Sequence, residues 1–113
     1  MYGLEKTIDL SFLAKRRLEQ IRIGEYQIEL CFDSGIAIAV QGAVTYEGER
    51  REDLPSVGKE LVNILGGEVV KAERVGRGDL RIVFSSGRSV IIHDSNESYE
   101  SYTIRGPDCL IVV

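Results

Sequence analysis

Apolar and polar residues alternate strictly from Tyr26 to Asp33. Tyr26, Ile28, Leu30 and Phe32 fall on one side, and Gln27, Glu29, Cys31 and Asp33 on the other. A period of two marks a strand with one buried face. Asp33-Ser34-Gly35 then supplies residue types that tolerate positive φ, which predicts a reversal into a second strand over Ile36–Val40. The same grammar returns later. Leu80, Ile82 and Phe84 alternate, Ser85-Ser86-Gly87 turns the chain, and Val90 and Ile92 lead back. Upstream of each hairpin the pattern predicts a short helical turn ending at Leu13 or Leu65, then a first strand ending at Gly24 or Gly76.

These parallels extend to a register. At an offset of 52, residues 10–40 align without gaps on residues 62–92, with six identities in 31 positions. The identities are Leu13/Leu65, Arg22/Arg74, Gly24/Gly76, Phe32/Phe84, Ser34/Ser86 and Gly35/Gly87, and apolar matches such as Leu18/Val70 and Ile28/Leu80 keep the same phase. Two copies are too few for a solenoid, so the expectation is one domain over residues 1–113 with an internal repeat.

Between the copies, Thr45–Asp53 mixes charges with a glycine and reads as an exposed loop or a frayed strand end. Pro55 suits a first helical turn. Val57, Leu61, Ile64 and Leu65 form the stripe of a helix that docks on a sheet, and Gly66-Gly67 stops it. After the second copy, Tyr102–Ile104 reads as a short strand, residues 106–108 as a turn and Leu110–Val113 as a last strand. The expected fold is α+β, mainly antiparallel β: a duplicated strand–turn–strand unit, about six to eight strands, and one covering helix near residues 55–65. Roughly fifteen large apolar residues, at ~1.5–3 kcal/mol each when fully buried, require both copies to share one core.

Composition changes the picture little. Hydrophobic residues are 43% and charged residues 28% of the 113, an ordinary globular balance that argues against disorder. No leader pattern or long apolar run is present, so a soluble, cytoplasmic protein without membrane contact is expected. Formal charge is −4, and an acidic protein has no long-range attraction for nucleic acid. The charge is uneven: Lys15, Arg16, Arg17 and Arg22 face only Glu19 in residues 14–23, whereas Asp94, Glu97, Glu100 and Asp108 face only Arg105 in residues 93–108.

Candidate chemistry is sparse. Cys31 and Cys109 are isolated thiols, and with one histidine, His93, they make a poor metal set, so no metal or cofactor is expected. They read as half-buried and reduced, with a disulfide left open. His93-Asp94 lacks a nucleophile elbow among the nearby serines. Glu97 and Glu100 lie in a polar loop that offers no burial to raise a carboxyl pKa. The glycines of Gly76-Arg77-Gly78 precede a strand rather than a helix, so they mark a turn and not a phosphate cradle. An enzyme is therefore not expected; it would need a compact cluster of titratable groups around His93.

One stretch stands apart. Glu97-Ser98-Tyr99-Glu100-Ser101-Tyr102 sets two tyrosines among two carboxylates. Tyrosine joins contact area to a polar tip and is enriched in interfaces. Asp94, Glu97, Tyr99, Glu100 and Tyr102 are the candidate binding residues, read against the plainer alternative that the tyrosines cover the end of a sheet.

Residues 23–42, Phe84–Asp94 and 98–113 together resemble a group of short bacterial proteins that share a domain of unknown function. In that group the closing motif reads Arg-Tyr-Glu-Ser-Trp, an apolar residue, then Gly-Pro-x-Gly. Here Ser98 stands for the arginine, Tyr102 for the tryptophan and Cys109 for the last glycine. The resemblance implies no catalytic residues. Small acidic β-rich chains also resemble bacterial immunity proteins at the level of class. The expected function is a protein-binding module, in its most concrete form an immunity protein that blocks a basic toxin domain. The alternative is a small-molecule or structural module with a cleft between the repeats. Leu110–Val113, apolar and uncharged, would allow a homodimer if it lies on a sheet edge.

Overall fold

Ile28, Leu30 and Phe32 lose almost all solvent contact, and Leu80, Ile82 and Phe84 do the same in the second half. The residues between them remain half-exposed or exposed, so these strands have one dry face each. The computed structural model describes residues 9–94, 101–106 and 110–113. A 3-10 turn at Ser11–Leu13 leads into β1 (Leu18–Ile23), β2 (Ile28–Phe32) and β3 (Ala37–Val40). Next come β4 (Val44–Tyr46), β5 (Glu49–Arg51) and helix α1 (Leu54–Leu61), which runs on into a 3-10 turn at Val62–Ile64. A second meander follows: β6 (Val69–Val75), β7 (Asp79–Phe84) and β8 (Ser89–Ile92). Then come β9 (Tyr102–Arg105) and β10 (Leu110–Val112).

The fold is α+β and mostly antiparallel β. Two five-stranded sheets have the orders β1-β2-β3-β9-β10 and β5-β4-β8-β7-β6. The ten described strands exceed the six to eight that the sequence suggests, chiefly because Thr45–Asp53, expected as an exposed loop or a frayed strand end, holds most of β4 and all of β5. Its Glu47-Gly48 turn takes φ of 54° and 79°. Left-handed backbone at both positions gives a tight hairpin the twist of its strands, so β4 and β5 pair directly. Helix α1 starts with Pro55 in its first turn and buries Leu54, Val57, Gly58 and Leu61 against β1, β2 and β4. Leu65, placed on the buried stripe by its spacing, is exposed instead, and Ile64 turns inward. The 3-10 turn after Leu61 rotates the side chains off the 3.6-residue period.

Pairing corrects the internal alignment. Leu18 sits opposite Phe32, and Val69 sits opposite Phe84. Both are fully buried, whereas Val70, which the ungapped alignment matches to Leu18, is 53% exposed. The offset is therefore 51 residues before the hairpin turn (Leu18/Val69) and 52 after it (Phe32/Phe84). The first turn has only Glu25 and Tyr26 at its tip, closed by Gly24 N–H to Gln27 O at 2.7 Å. The second has one more residue, Gly76-Arg77-Gly78. Lys15 and Gly66, again 51 apart, both adopt left-handed backbone with φ of 68° and 82°, and only the glycine does so without strain.

The halves exchange their last hairpins. Instead of extending the sheet of β3, strand β4 crosses to β8, with Val44 opposite Ile92 and Tyr46 opposite Val90. Strand β9 crosses back to β3, with Tyr102 opposite Val40 and Ile104 opposite Ile38. The crossing segments touch: Gln41 and Gly42 N–H groups donate to Ser101 O at 2.9 and 3.0 Å, and His93 N–H donates to Ala43 O at 3.0 Å. At the other end the starts of β1 and β6 meet, where Leu18 N–H donates to Gly67 O at 3.0 Å and Gly66 N–H to Leu18 O at 2.7 Å. One core results, drawing buried residues from both sheets and α1.

Gly67 is the tight point of that junction. A Cβ there would lie 2.9 Å from Ile64 O and 3.3 Å from the Phe84 ring. A backbone carbonyl cannot swing aside as a side-chain end can. Gly67→Ala is expected to destabilise by about 1–3 kcal/mol, the usual cost of overpacking. A urea midpoint equal to that of the native chain would show that the junction has room to relax.

Candidate functional site

Of the residues expected to bind a partner, Glu97, Tyr99 and Glu100 lie outside the described residues, as does Cys109. Tyr102 is 1% exposed, and its hydroxyl donates to Gly78 O at 2.8 Å. Burial, and after it the nearby Asp79 and Asp94 charges, push its phenol far above the ordinary tyrosine value. Tyr102 thus belongs to the core and offers a partner no surface, because β9 turns it inward beside Val40. Asp94 is half-buried; its Oδ1 accepts from Ser101 Oγ at 3.0 Å, and its N–H donates to Asp79 Oδ1 at 2.8 Å.

Asp94 leads into a polar cluster where the crossing segments meet. His93 follows β8, and its ring lies between two strands. Its Nδ1 is 2.8 Å from Asp79 Oδ2 at the start of β7, and its Nε2 is 2.7 Å from Thr45 Oγ1 on β4. A carboxylate oxygen only accepts, so Nδ1 carries the proton, and in the neutral ring Nε2 is then the acceptor for the Thr45 hydroxyl. His93 and Asp79 side chains keep 15% and 25% of their exposure. The compact group around His93 that the sequence does not reveal is therefore present. In the sequence Thr45 opens a stretch that reads as an exposed loop or a frayed strand end and Asp79 merely follows the Gly76-Arg77-Gly78 turn, and only the exchange of β4 brings them together.

A second feature lies at the tip of the β1–β2 hairpin. Glu25 and Tyr26 from that tip, Gln41 after β3, and Glu52, Asp53, Leu54 and Pro55 at the start of α1 line a cleft of about 310 Å³. Among these described lining residues three are acidic and none is basic. Tyr26 is 79% exposed, although the alternation puts it in phase with the buried Ile28, because the turn leaves no strand beyond it to cover the ring. Gln41 is held in place by Gln27, Nε2 to Oε1 at 2.9 Å. No sequence signal joins Glu25 to the Glu52-Asp53 pair, which begins 27 residues later.

Two expectations concern the other sheet. Cys31 is half-buried on the outer side of β2, and burial, helped by its bond to Glu29 Oε1 at 3.5 Å, pushes its thiol up and away from thiolate chemistry. Strand β10 lies at a sheet edge, with Leu110 63% and Val112 38% exposed. Among the described residues, no helix is long and apolar enough to cross a membrane.

A family model described as a family of unknown function (DUF6188) matches residues 10–113. No curated protein and no solved structure matches the chain.

Proposed function

The chain belongs to this family of unknown function, and we propose that it is a protein-binding module that takes a basic partner at the cleft beside Tyr26. The observation that carries this reading is a 79% exposed tyrosine in a cleft ringed by Glu25, Glu52 and Asp53. A lysine or arginine entering it meets carboxylates for charge-assisted hydrogen bonds and an aromatic face for cation–π attraction. The chain's net charge of −4 speeds the approach of a basic surface and makes association depend on salt. The most specific version is an immunity protein whose partner is the catalytic domain of a toxin, blocked by a basic side chain seated here. A carboxylate-lined cleft favours such a cationic group over the apolar ligand of a small-molecule module.

The test titrates an acetylated tetralysine peptide into the chain and follows the backbone and Tyr26 signals by NMR. Shifts are expected to concentrate on the cleft residues. Tyr26→Ala, or Glu52→Gln with Asp53→Asn, should weaken binding about tenfold, or ~1.4 kcal/mol. A charge-matched pair placed elsewhere, Glu19→Gln with Glu68→Gln, should change it much less. Equal weakening by both pairs would reduce the effect to net charge and sink the cleft.

A further inference from the structure

We propose that Thr45, His93 and Asp79 form a nucleophilic acyl-transfer site that acts on short acyl esters and uses none of the residues that line the cleft. Strands β4 and β7 and the residue just after β8 deliver the three groups. Thr45 Oγ1 is 2.7 Å from His93 Nε2, and His93 Nδ1 is 2.8 Å from Asp79 Oδ2. The remaining Asp79 oxygen accepts the Asp94 N–H at 2.8 Å, which fixes the carboxylate plane. This is the chain of nucleophile, base and orienting group that activates a hydroxyl, each link within hydrogen-bond reach.

The surroundings suit the chemistry. Thr45 lies between the buried Val44 and Tyr46, so its side chain points to the outer face of its sheet. Directly opposite it stand Ile91 on β8 and Arg50 on β5. Opposed residues of antiparallel strands share a face, so Ile91 offers an apolar bed for an alkyl chain. Arg50 is exposed and shares the outer face with Thr45, and a guanidinium on that face can stabilise negative charge that develops beside Thr45.

In the first step Thr45 Oγ1 bonds to the carbonyl carbon while its proton passes to His93 Nε2. The tetrahedral adduct then expels the alkoxide, which leaves as the alcohol with the proton from Nε2. Water attacks the threonyl ester next, giving up a proton to Nε2, and the acid departs as Thr45 regains its hydroxyl proton. Asp79 touches no reacting atom; it is a positioning residue that keeps the proton on Nδ1.

The experiment uses 4-nitrophenyl acetate as probe, with nitrophenol release followed optically and acylated peptides located by mass spectrometry. The native chain is expected to carry acetyl on Thr45 and to turn over. Thr45→Val, which keeps the β-branched shape, should lose the adduct, and His93→Gln should slow acylation about 10²–10⁴-fold. Thr45→Ser should retain both adduct and turnover. Asp79→Asn should lower the rate at neutral pH and alter the pH profile, because an amide favours the tautomer with the proton on Nε2. Acetyl found on lysines alone, or turnover by Thr45→Val equal to the native chain, would overturn the proposal. Should Thr45→Val not fold, loss of the adduct in folded Thr45→Ser would overturn it equally.

Discussion

Phe84→Ala is expected to lower the unfolding free energy by about 3–5 kcal/mol, the range for emptying a buried phenylalanine site. The ring is 1% exposed and packs under the place where β1 and β6 begin. Its own backbone is held on both sides, N–H to Arg88 O at 2.9 Å and O from Gly87 N–H at 2.9 Å. Framed in this way, the site cannot collapse around an alanine, and the void remains. Against a usual domain stability of about 5–15 kcal/mol, such a loss leaves a marginal protein. Urea unfolding would read it as a shifted midpoint at unchanged slope. Phe32 holds the matching position in the other sheet, and Phe32→Ala should cost a similar amount. A loss under ~1 kcal/mol at either site would mean that the ring is not packed as described.

Tyr102→Phe is expected to combine a loss at neutral pH with a gain in alkaline tolerance. Without the hydroxyl, Gly78 O loses its buried donor at 2.8 Å, an unmade bond worth about 1–3 kcal/mol. The phenol's pKa is raised in the folded chain, whereas an unfolded tyrosine titrates near about pH 10. Above that pH the unfolded state gives up a proton that the folded state keeps. Stability from this group is thus complete below about pH 10 and falls as pH rises further, by up to about 1.4 kcal/mol per unit. Phenylalanine has no such slope, so the native and variant stabilities should converge between pH 9 and 11. Parallel curves in urea titrations across that window would refute the account.

Both predictions concern residues whose identity was legible and whose role was not. Ile28, Leu30, Phe32, Leu80, Ile82 and Phe84 announce buried strand faces because a two-residue period is local and needs no knowledge of partners. Pro55 and the stripe through Leu61 announce the helix for the same reason. The one-residue slip between the halves was invisible, because Val69-Val70 offers two like residues and only burial tells which one faces inward. Tyr102 looked like a recognition residue since tyrosine serves interfaces and interiors alike. Its fate depended on which strand received β9.

The amino-acid order by itself determined the strands of the two repeats, their tight turns, the covering helix and the need for one shared core, all of which follow from side-chain periodicity and turn chemistry over a few residues. It did not show the β4–β5 hairpin. Tertiary structure alone decided where the hairpins went. Ala37–Val40 and Ser89–Ile92 present much the same edge, so backbone pairing cannot choose between them. Covering both sheets at once selects the exchange, and the exchange brings Thr45 to His93 across 48 residues of chain.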